Sequence, residues 1–394
     1  MKIVSTTLIC LIISATAYCQ SPAELAALDL AKQGKTSEAI AAFENIVKDN
    51  PKNVNAFNVL SQLYIRTGKN QDGYDAATRG LAADPVNDNL AISKAKAAIA
   101  LNKDDEALAL MDACIARNEG FFYPYIVKGN VFDEQNKVQL AIGMYSKSIQ
   151  LKPDFASTYL DRGEDFASIS RYDQAIADYN KYIEMVPDND EAYNMRGKAY
   201  YSQNKNAEAI ADYNKAIELN KDQKYALVNR GIVYAATGER DKALADFNQA
   251  IAIDPNSYPD GYFQLAKIYE KDGDYAAAQK NIEKAIAIKN TRASYYVVYG
   301  KILLKANKNT EGLAAAEKAL TIDKVNPDGY LIKATAYSNM ERYDDAIASI
   351  NDGLKLFPDN YLFYSLRSAV YKFKGNTAQA EADNQKAKEL GTKN

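Results

Sequence analysis

The sequence predicts an all-α fold, a solenoid of about eleven 34-residue helix-turn-helix repeats. Two ladders of residues indicate this period. Proline recurs at multiples of 34 residues, with one extra residue in the last interval, at Pro51, Pro85, Pro153, Pro187, Pro255 and Pro358. A small residue recurs every 34 residues, with one step of 35, at Ala39, Gly73, Ala107, Ala141, Ala175, Ala209, Ala243, Ala278, Gly312, Ala346 and Ala380. Counted from Gln20, eleven repeats and one inserted residue account for residues 20–394.

Each repeat has the apolar spacing of two amphipathic helices. In residues 191–220, Tyr193, Gly197 and Tyr200 mark the first helix, Ala209 and Tyr213 mark the second, and a polar turn separates them. Small residues at repeat positions 8 and 20 predict close contact between the two helices, with aromatic residues filling the space between repeats. Glycine, which adopts a positive φ at low cost, follows the first helix at Gly34, Gly68, Gly238, Gly273 and Gly375. Proline is predicted to end the second helix.

This pattern resembles the tetratricopeptide repeat family, in which position 4 is large, 8 small, 11 and 24 aromatic, 20 and 27 alanine, and 32 proline. The sixth repeat matches six of these seven positions, and Lys221 stands where proline would be. The matching residues are Tyr193, Gly197, Tyr200, Ala209, Tyr213 and Ala216. The resemblance implies a right-handed superhelix whose first helices line a concave groove for a partner polypeptide. Most of the 29 tyrosines are therefore predicted to pack and not to form a ligand platform, including those at position 4: Tyr125, Tyr159, Tyr193, Tyr262, Tyr296, Tyr330 and Tyr364.

Residues 1–19 have the layout of a secretory signal peptide. Basic Lys2 is followed by an apolar run from about Ile3 to Ala15 and then by small residues. We therefore expect an exported, periplasmic or extracellular protein, cleaved near Gln20 and without a transmembrane segment. Lipid attachment at Cys19 is the alternative, which Tyr18 disfavours. Cleavage would leave Cys114 as the one cysteine, so no intrachain disulfide is expected.

Composition argues against catalysis and against nucleic-acid binding. The 48 basic and 51 acidic residues give a net charge of -3, which creates no basic surface for a polyanion. The chain has no histidine, so histidine-dependent triads and histidine zinc sites are excluded. Cys114, at position 27, is predicted to be a buried packing residue. We expect no catalytic residue, no metal site and no cofactor.

A ladder of arginines predicts ion pairs inside the repeats. Position 7, on a face expected to be largely buried, holds Arg162, Arg196, Arg230 and Arg367. Aspartate stands sixteen residues later in those four repeats, at Asp178, Asp212, Asp246 and Asp383, and in none of the other seven. Because a partly buried guanidinium needs a carboxylate, we expect each pair to join the two helices of its repeat.

The binding prediction follows from the family resemblance, which implies contacts at positions 2, 5, 6, 9, 12 and 13. These positions give a polar, acidic stretch in repeats 4 and 5: Asn130, Asp133, Glu134, Asp161 and Glu164. Repeat 6 adds Asn194, Lys198 and Tyr201, and later repeats add Asn229, Phe263, Lys267, Lys271, Lys301 and Lys305. A peptide with a complementary charge gradient is one hypothesis, and a solvated surface without a partner is the other.

Two irregularities interrupt the period. Residues 121–125 form the aromatic run FFYPY, which is predicted to pack at a repeat junction, with an exposed contact patch as the alternative. One residue is inserted near 257–259. Self-assembly through the terminal repeats is also open, although the polar last helix favours a monomer.

The sequence therefore predicts a non-enzymatic protein-protein interaction scaffold or adaptor in the cell envelope, with a partner protein or peptide in its groove. A periplasmic ligand-binding, glycan-binding or enzyme-accessory protein is the alternative.

Overall fold

The computed structural model describes residues 21–391, so the predicted signal peptide lies outside the described residues. Within that range the chain forms 22 α-helices and no strand. The helices are Pro22–Lys32 (α1), Thr36–Asp49 (α2), Val54–Arg66 (α3), Asn70–Ala83 (α4), Asp88–Ala100 (α5), Asp104–Arg117 (α6), Tyr123–Glu134 (α7), Val138–Leu151 (α8), Ala156–Ser168 (α9), Tyr172–Met185 (α10), Asp190–Ser202 (α11), Asn206–Leu219 (α12), Lys224–Ala236 (α13), Arg240–Ile253 (α14), Asp260–Asp272 (α15), Tyr275–Ile288 (α16), Ala293–Lys305 (α17), Asn309–Ile322 (α18), Pro327–Asn339 (α19), Tyr343–Leu356 (α20), Tyr361–Phe373 (α21) and Thr377–Gly391 (α22).

Odd-numbered helices are the first helices of the predicted repeats and even-numbered helices are the second. The predicted all-α fold of eleven helix pairs is confirmed. The helices group into two compact units, residues 21–205 and 206–391, divided within the sixth repeat between α11 and α12. We call these the N-terminal unit and the C-terminal unit.

Close packing inside each repeat depends on the small residue at position 8. A Cβ atom added to Gly163 would lie 2.6 Å from the ring of Tyr179, and one added to Gly231 would lie 2.6 Å from the ring of Phe247. Both rings are fully or nearly fully buried. The aromatic residue at position 24 therefore packs against the first helix of its own repeat. The sequence had predicted aromatic residues between repeats and had not predicted this contact.

The turn after each first helix holds one residue in the left-handed conformation. All eleven residues at position 15 have a positive φ, and the five predicted glycines are among them, which confirms their role. Asparagine, serine or glutamate takes this conformation elsewhere, at Asn102, Asn136, Ser170, Asn204, Asn307 and Glu341. Asparagine tolerates a positive φ better than most residues with a Cβ atom, which explains four of these six replacements.

Proline is not needed to end the second helices. Helices α6, α12, α16 and α18 end at the same repeat position as the others, although no proline follows them. The turn and the packing of the next first helix therefore set this boundary, and proline only reinforces it.

The predicted arginine–aspartate pairs are present wherever both residues lie in one compact unit. Arg162 donates two hydrogen bonds to the carboxylate of Asp178, at 2.8 and 2.7 Å, and Asp178 is 5% exposed. The same bidentate geometry joins Arg230 to Asp246 and Arg367 to Asp383. Arg196 and Asp212 fall in different compact units, and their pairing stays a prediction.

The side chain at position 7 also forms a hydrogen bond to the preceding repeat. The sequence had not predicted this bond. The remaining guanidinium nitrogen of Arg230 donates to Asn214 at 2.6 Å, and that of Arg367 donates to Asn351 at 2.5 Å. Five further pairs of residues at positions 7 and 25 make the same connection between repeats. These further pairs are Lys128 with Asp112, Arg162 with Ser146, Arg196 with Asn180, Tyr299 with Glu283, and Lys333 with Glu317.

The aromatic run and the inserted residue both pack. Phe122 lies 5.1 Å from Phe155 between ring centroids, and Tyr123 is buried in the same cluster, so the packing interpretation of residues 121–125 is favoured. Tyr258 of the insertion is buried, with its ring 5.3 Å from that of Tyr225.

Cys114 and the position-4 tyrosines occupy packing positions. Cys114 is fully buried, as predicted, and burial raises the pKa of its thiol to about 12. Tyr125 and Tyr159 are buried, while the other five position-4 tyrosines are half-buried. The hydroxyl of Tyr159 donates to the carbonyl of Pro153 at 3.0 Å, and Tyr364 does the same to Pro358 at 2.9 Å. These rings therefore pack against the end of the preceding repeat.

The position-15 turn gives a direct test of backbone strain. Replacing Gly238 with alanine should lower the free energy of unfolding by about 1 kcal/mol, because an L-residue disfavours a φ of 86°. A Cβ atom there would meet nothing within 4 Å, so the change isolates the backbone. Glu341→Gly should raise stability, and urea unfolding measures both. Equal effects of the same sign would contradict this account.

The arginine–aspartate pairs should be energetically coupled. Arg230→Ala and Asp246→Ala should each cost about 3 kcal/mol, because each leaves a partly buried charge without its partner. The double variant should cost less than the sum of the two by at least about 1 kcal/mol in a urea-unfolding cycle. The exposed pair Lys181 and Glu184 serves as the control and should show no coupling. Additivity within error at Arg230 and Asp246 would refute the pairing energy.

Candidate functional site

The N-terminal unit contains a cleft of about 460 Å³ between α7, α9, α10 and α11. We call it the acidic cleft. First helices supply most of its walls, as the groove prediction requires. Its lining residues are Asp133, Glu164, Asp165, Ala167, Ser168, Tyr172, Tyr179, Met195, Lys198, Ala199 and Ser202.

Three of the predicted binding residues line this cleft together: Asp133, Glu164 and Lys198. They occupy position 12 of repeat 4 and position 9 of repeats 5 and 6. Because the helices stack in register, residues 31 and 34 apart in sequence reach one cavity.

The other predicted residues of the N-terminal unit lie on the same helices outside the lining. Asn130 is exposed and accepts a hydrogen bond from the hydroxyl of Tyr145 at 2.7 Å. Glu134 is exposed and Asp161 is half-buried. Asn194 is buried and Tyr201 is half-buried, and neither belongs to the cleft lining.

Asp165 is a cleft residue that the position rule missed. It stands at position 10, which in repeats 2–11 is otherwise apolar, for example Val131 and Ala199. Because the same position is apolar in the other nine of these repeats, the sequence could have identified Asp165 as an exception. Asp165 is 1% exposed, yet it belongs to the cleft lining.

Several carboxylates act together on one buried phenol. Burial raises the pKa of Tyr145 far above its ordinary value, and the charges of Asp161, Asp165, Asp133 and Glu164 raise it further. Burial and the charge of Glu164 likewise raise the pKa of Tyr179. Since all of these charges disfavour a phenolate, the potential at this end of the cleft is negative.

The cleft also has an apolar component. Met195, Ala167 and Ala199 contribute aliphatic surface, and Tyr172 and Tyr179 contribute ring surface. The lining carries three carboxylates and one ammonium group, that of Lys198. A long basic side chain matches this combination, because its methylene groups contact apolar surface while its charge reaches a carboxylate.

The predicted residues of the C-terminal unit differ from one another in burial and in their contacts. Asn229 is half-buried on α13, and the ring of Phe263 on α15 packs against Tyr295 at 4.8 Å between centroids. Lys267 lies over the Phe263 ring at 5.6 Å and is exposed. Lys301 forms an ion pair with Asp328 at 3.0 Å, which reduces the expected basic character. Lys271 and Lys305 are exposed, and the charge gradient stays a prediction.

Residues 21–391 contain neither a metal-binding cluster nor a membrane-spanning helix. Over this range, no group of three or more cysteine, aspartate or glutamate residues is arranged to hold a metal ion. No helix in the same range is both long and apolar enough to cross a membrane.

Family models described as TPR repeat or tetratricopeptide repeat match six stretches of the chain, four of which overlap in succession, and together they cover more than half of it. The matched residues are 25–88, 163–203, 197–238, 225–257, 247–280 and 327–360.

A curated relative and several solved structures are also similar. BBSome complex member bbs-4 of Caenorhabditis elegans is 43% identical over 54 residues, which are 14% of this chain and 12% of that protein. The Cut9 and Hcn1 hetero-tetramer of the APC/C has a TM-score of 0.47 at 15% identity, covering 99% of this chain and 97% of that one. Yeast Tom70 has a TM-score of 0.49 at 14% identity, covering 96% and 92%.

Proposed function

Because this chain belongs to the tetratricopeptide repeat family, we propose that it is a non-enzymatic interaction scaffold whose acidic cleft binds a basic segment of a partner protein. The observation that carries this proposal is the convergence of Asp133, Glu164 and Asp165 on one cleft with an apolar component. Stacked repeats hold these carboxylates on two helices, α7 and α9, so the site is formed before a partner arrives.

Electrostatics and apolar contact have separate roles in this proposal. The carboxylates attract a basic segment and fix its register, while burial of its aliphatic stems against Met195 and Tyr172 supplies affinity. Contacts to the partly exposed Glu164 and Asp133 are screened by salt, so binding should weaken as ionic strength rises.

The proposal includes export. The basic residue and apolar run in residues 1–19 support passage across a membrane and action in the cell envelope. The mass of the protein recovered from its native compartment tests this directly. A chain beginning near Gln20 supports cleavage and release, a lipid-modified Cys19 indicates an anchored form, and an unprocessed chain argues against export.

Charge reversal in the acidic cleft should weaken binding of a basic probe. The probe is a fluorescein-labelled peptide that alternates lysine with leucine, read by fluorescence anisotropy. The variant Asp133→Lys with Glu164→Lys should weaken binding at least tenfold, since two attractive contacts become repulsive.

A matched control changes net charge equally, at two residues of repeat 5. It carries Glu184→Lys and Asp188→Lys, both exposed residues outside the cleft lining. Equal loss in both variants would indicate a non-specific charge effect and would contradict the cleft assignment. A small-molecule thermal-shift screen adds a second readout, because a glycan or metabolite that stabilises the protein would favour a ligand-binding function instead.

Crosslinking identifies the natural partner. A photoreactive phenylalanine analogue in place of Ser202, at the edge of the acidic cleft, should crosslink a protein that carries a basic segment. The same capture from the charge-reversal variant should lose that protein. Capture that is unchanged by charge reversal would refute the proposed site.

A further inference from the structure

The N-terminal unit has a second cleft, of about 490 Å³, between α2, α3 and α4. We call it the repeat-2 socket. Two second helices and the first helix α3 form it, and it shares no lining residue with the acidic cleft. Its lining residues are Glu44, Val47, Lys48, Pro51, Leu60, Tyr64, Asp72, Asp75, Ala76 and Arg79.

Three other repeats show how an arginine can occupy this place. In repeats 5, 7 and 11, an arginine at position 7 pairs with an aspartate at position 23 and also bonds to position 25 of the preceding repeat. In repeat 2 the corresponding residues are Leu60, Ala76 and Glu44. Both members of the pair are therefore replaced by smaller apolar residues, and the cavity lies among these three positions.

The aromatic residues beside the arginine in another repeat have counterparts in repeat 2. The guanidinium of Arg162 lies over the rings of Tyr159 at position 4 and Phe166 at position 11, at 5.9 and 5.6 Å. Repeat 2 has Phe57 and Tyr64 at those positions, and Tyr64 lines the socket.

The acceptor at position 25 is stronger than in the arginine-bearing repeats. Glu44, a carboxylate, stands where they have an asparagine or a serine, and it accepts a hydrogen bond from the hydroxyl of Tyr64. Asp72 and Asp75 add two carboxylates at the rim. Asp75 also accepts a hydrogen bond from the amide of Gln71 at 2.9 Å, and Asp72 and Asp75 are exposed.

Two cations also border the socket. Arg79 lies over the Phe57 ring at 5.0 Å, and Lys48 is exposed. The three carboxylates outnumber them. Burial raises the pKa of Tyr64, and the adjacent Glu44 and Asp72 raise it further against the opposing charge of Arg79, so the potential at the phenol is negative.

We propose that the repeat-2 socket receives an arginine side chain of a partner protein, inserted where repeats 5, 7 and 11 place their own arginine. The apolar walls of Val47, Leu60 and Ala76 accommodate the aliphatic stem. The planar guanidinium matches both the ring of Tyr64 and the carboxylate of Glu44, which an ammonium group matches less well. This site is independent of the proposed function of the acidic cleft.

Methyl NMR on the full chain tests the socket with a defined probe. The probe is N-acetyl-arginine amide, and the controls are the lysine and citrulline analogues, citrulline being the neutral counterpart of arginine. Val47 and Leu60 report on the socket and Met195 reports on the acidic cleft. Arginine should shift the Val47 and Leu60 methyl signals with at least tenfold higher affinity than citrulline, and lysine should be intermediate.

Two variants make the test decisive. Leu60→Arg with Ala76→Asp rebuilds the arginine–aspartate pair inside the socket, so it should raise the melting temperature and remove the Val47 shift. Glu44→Gln should weaken arginine binding severalfold, whereas Glu38→Gln on the same helix should not. Equal shifts from arginine and citrulline, or a Val47 shift that persists in the rebuilt variant, would overturn the proposal. Shifts confined to Met195 would also overturn it while leaving the acidic-cleft proposal intact.

Discussion

Close contact between the two helices of each repeat is the constraint from which the rest of this structure follows. Position 8 is glycine, alanine or serine in every repeat, so the facing side chain can cross onto the opposite helix. Serine fits the same space and adds a bond, since Ser61 and Ser368 donate to the carbonyl of the position-20 residue at 2.7 and 2.6 Å. A larger residue would separate the pair, and no repeat could then present a regular surface to its neighbour.

Polar bonds fix the register between repeats that apolar packing alone would leave loose. The bond from position 7 to position 25 of the preceding repeat recurs with arginine, lysine or tyrosine as donor and with aspartate, glutamate, asparagine or serine as acceptor. The geometry is therefore kept while the chemistry varies. An arginine adds the bidentate pair at position 23, which holds three helices through one side chain.

Both proposed sites arise where the side chains at a repeat position differ from those in other repeats. Asp165 places a carboxylate in a column that is otherwise apolar from repeat 2 onward, and it lies beside Asp133 and Glu164. Repeat 2 is one of the seven repeats without the arginine–aspartate pair, and there a cavity lies beside Leu60 and Ala76. A repeating frame makes such differences informative, because other repeats show which side chains the same positions can hold.

The sequence by itself determined the repeat length, the helix pairing, the left-handed turn glycines and the arginine–aspartate pairs, because each is local or recurs at a fixed spacing. It placed Asp133, Glu164 and Lys198 in a groove by position. Only the tertiary structure decided that these three line one cleft with Asp165 and Met195, that Asn194 is buried, and that Lys301 is paired with Asp328. Burial and ion pairing depend on how successive helices stack, and the repeat pattern specifies that stacking only on average. For the same reason, the bonds from position 7 to the preceding repeat and the socket beside Leu60 became visible only once the helices were packed together.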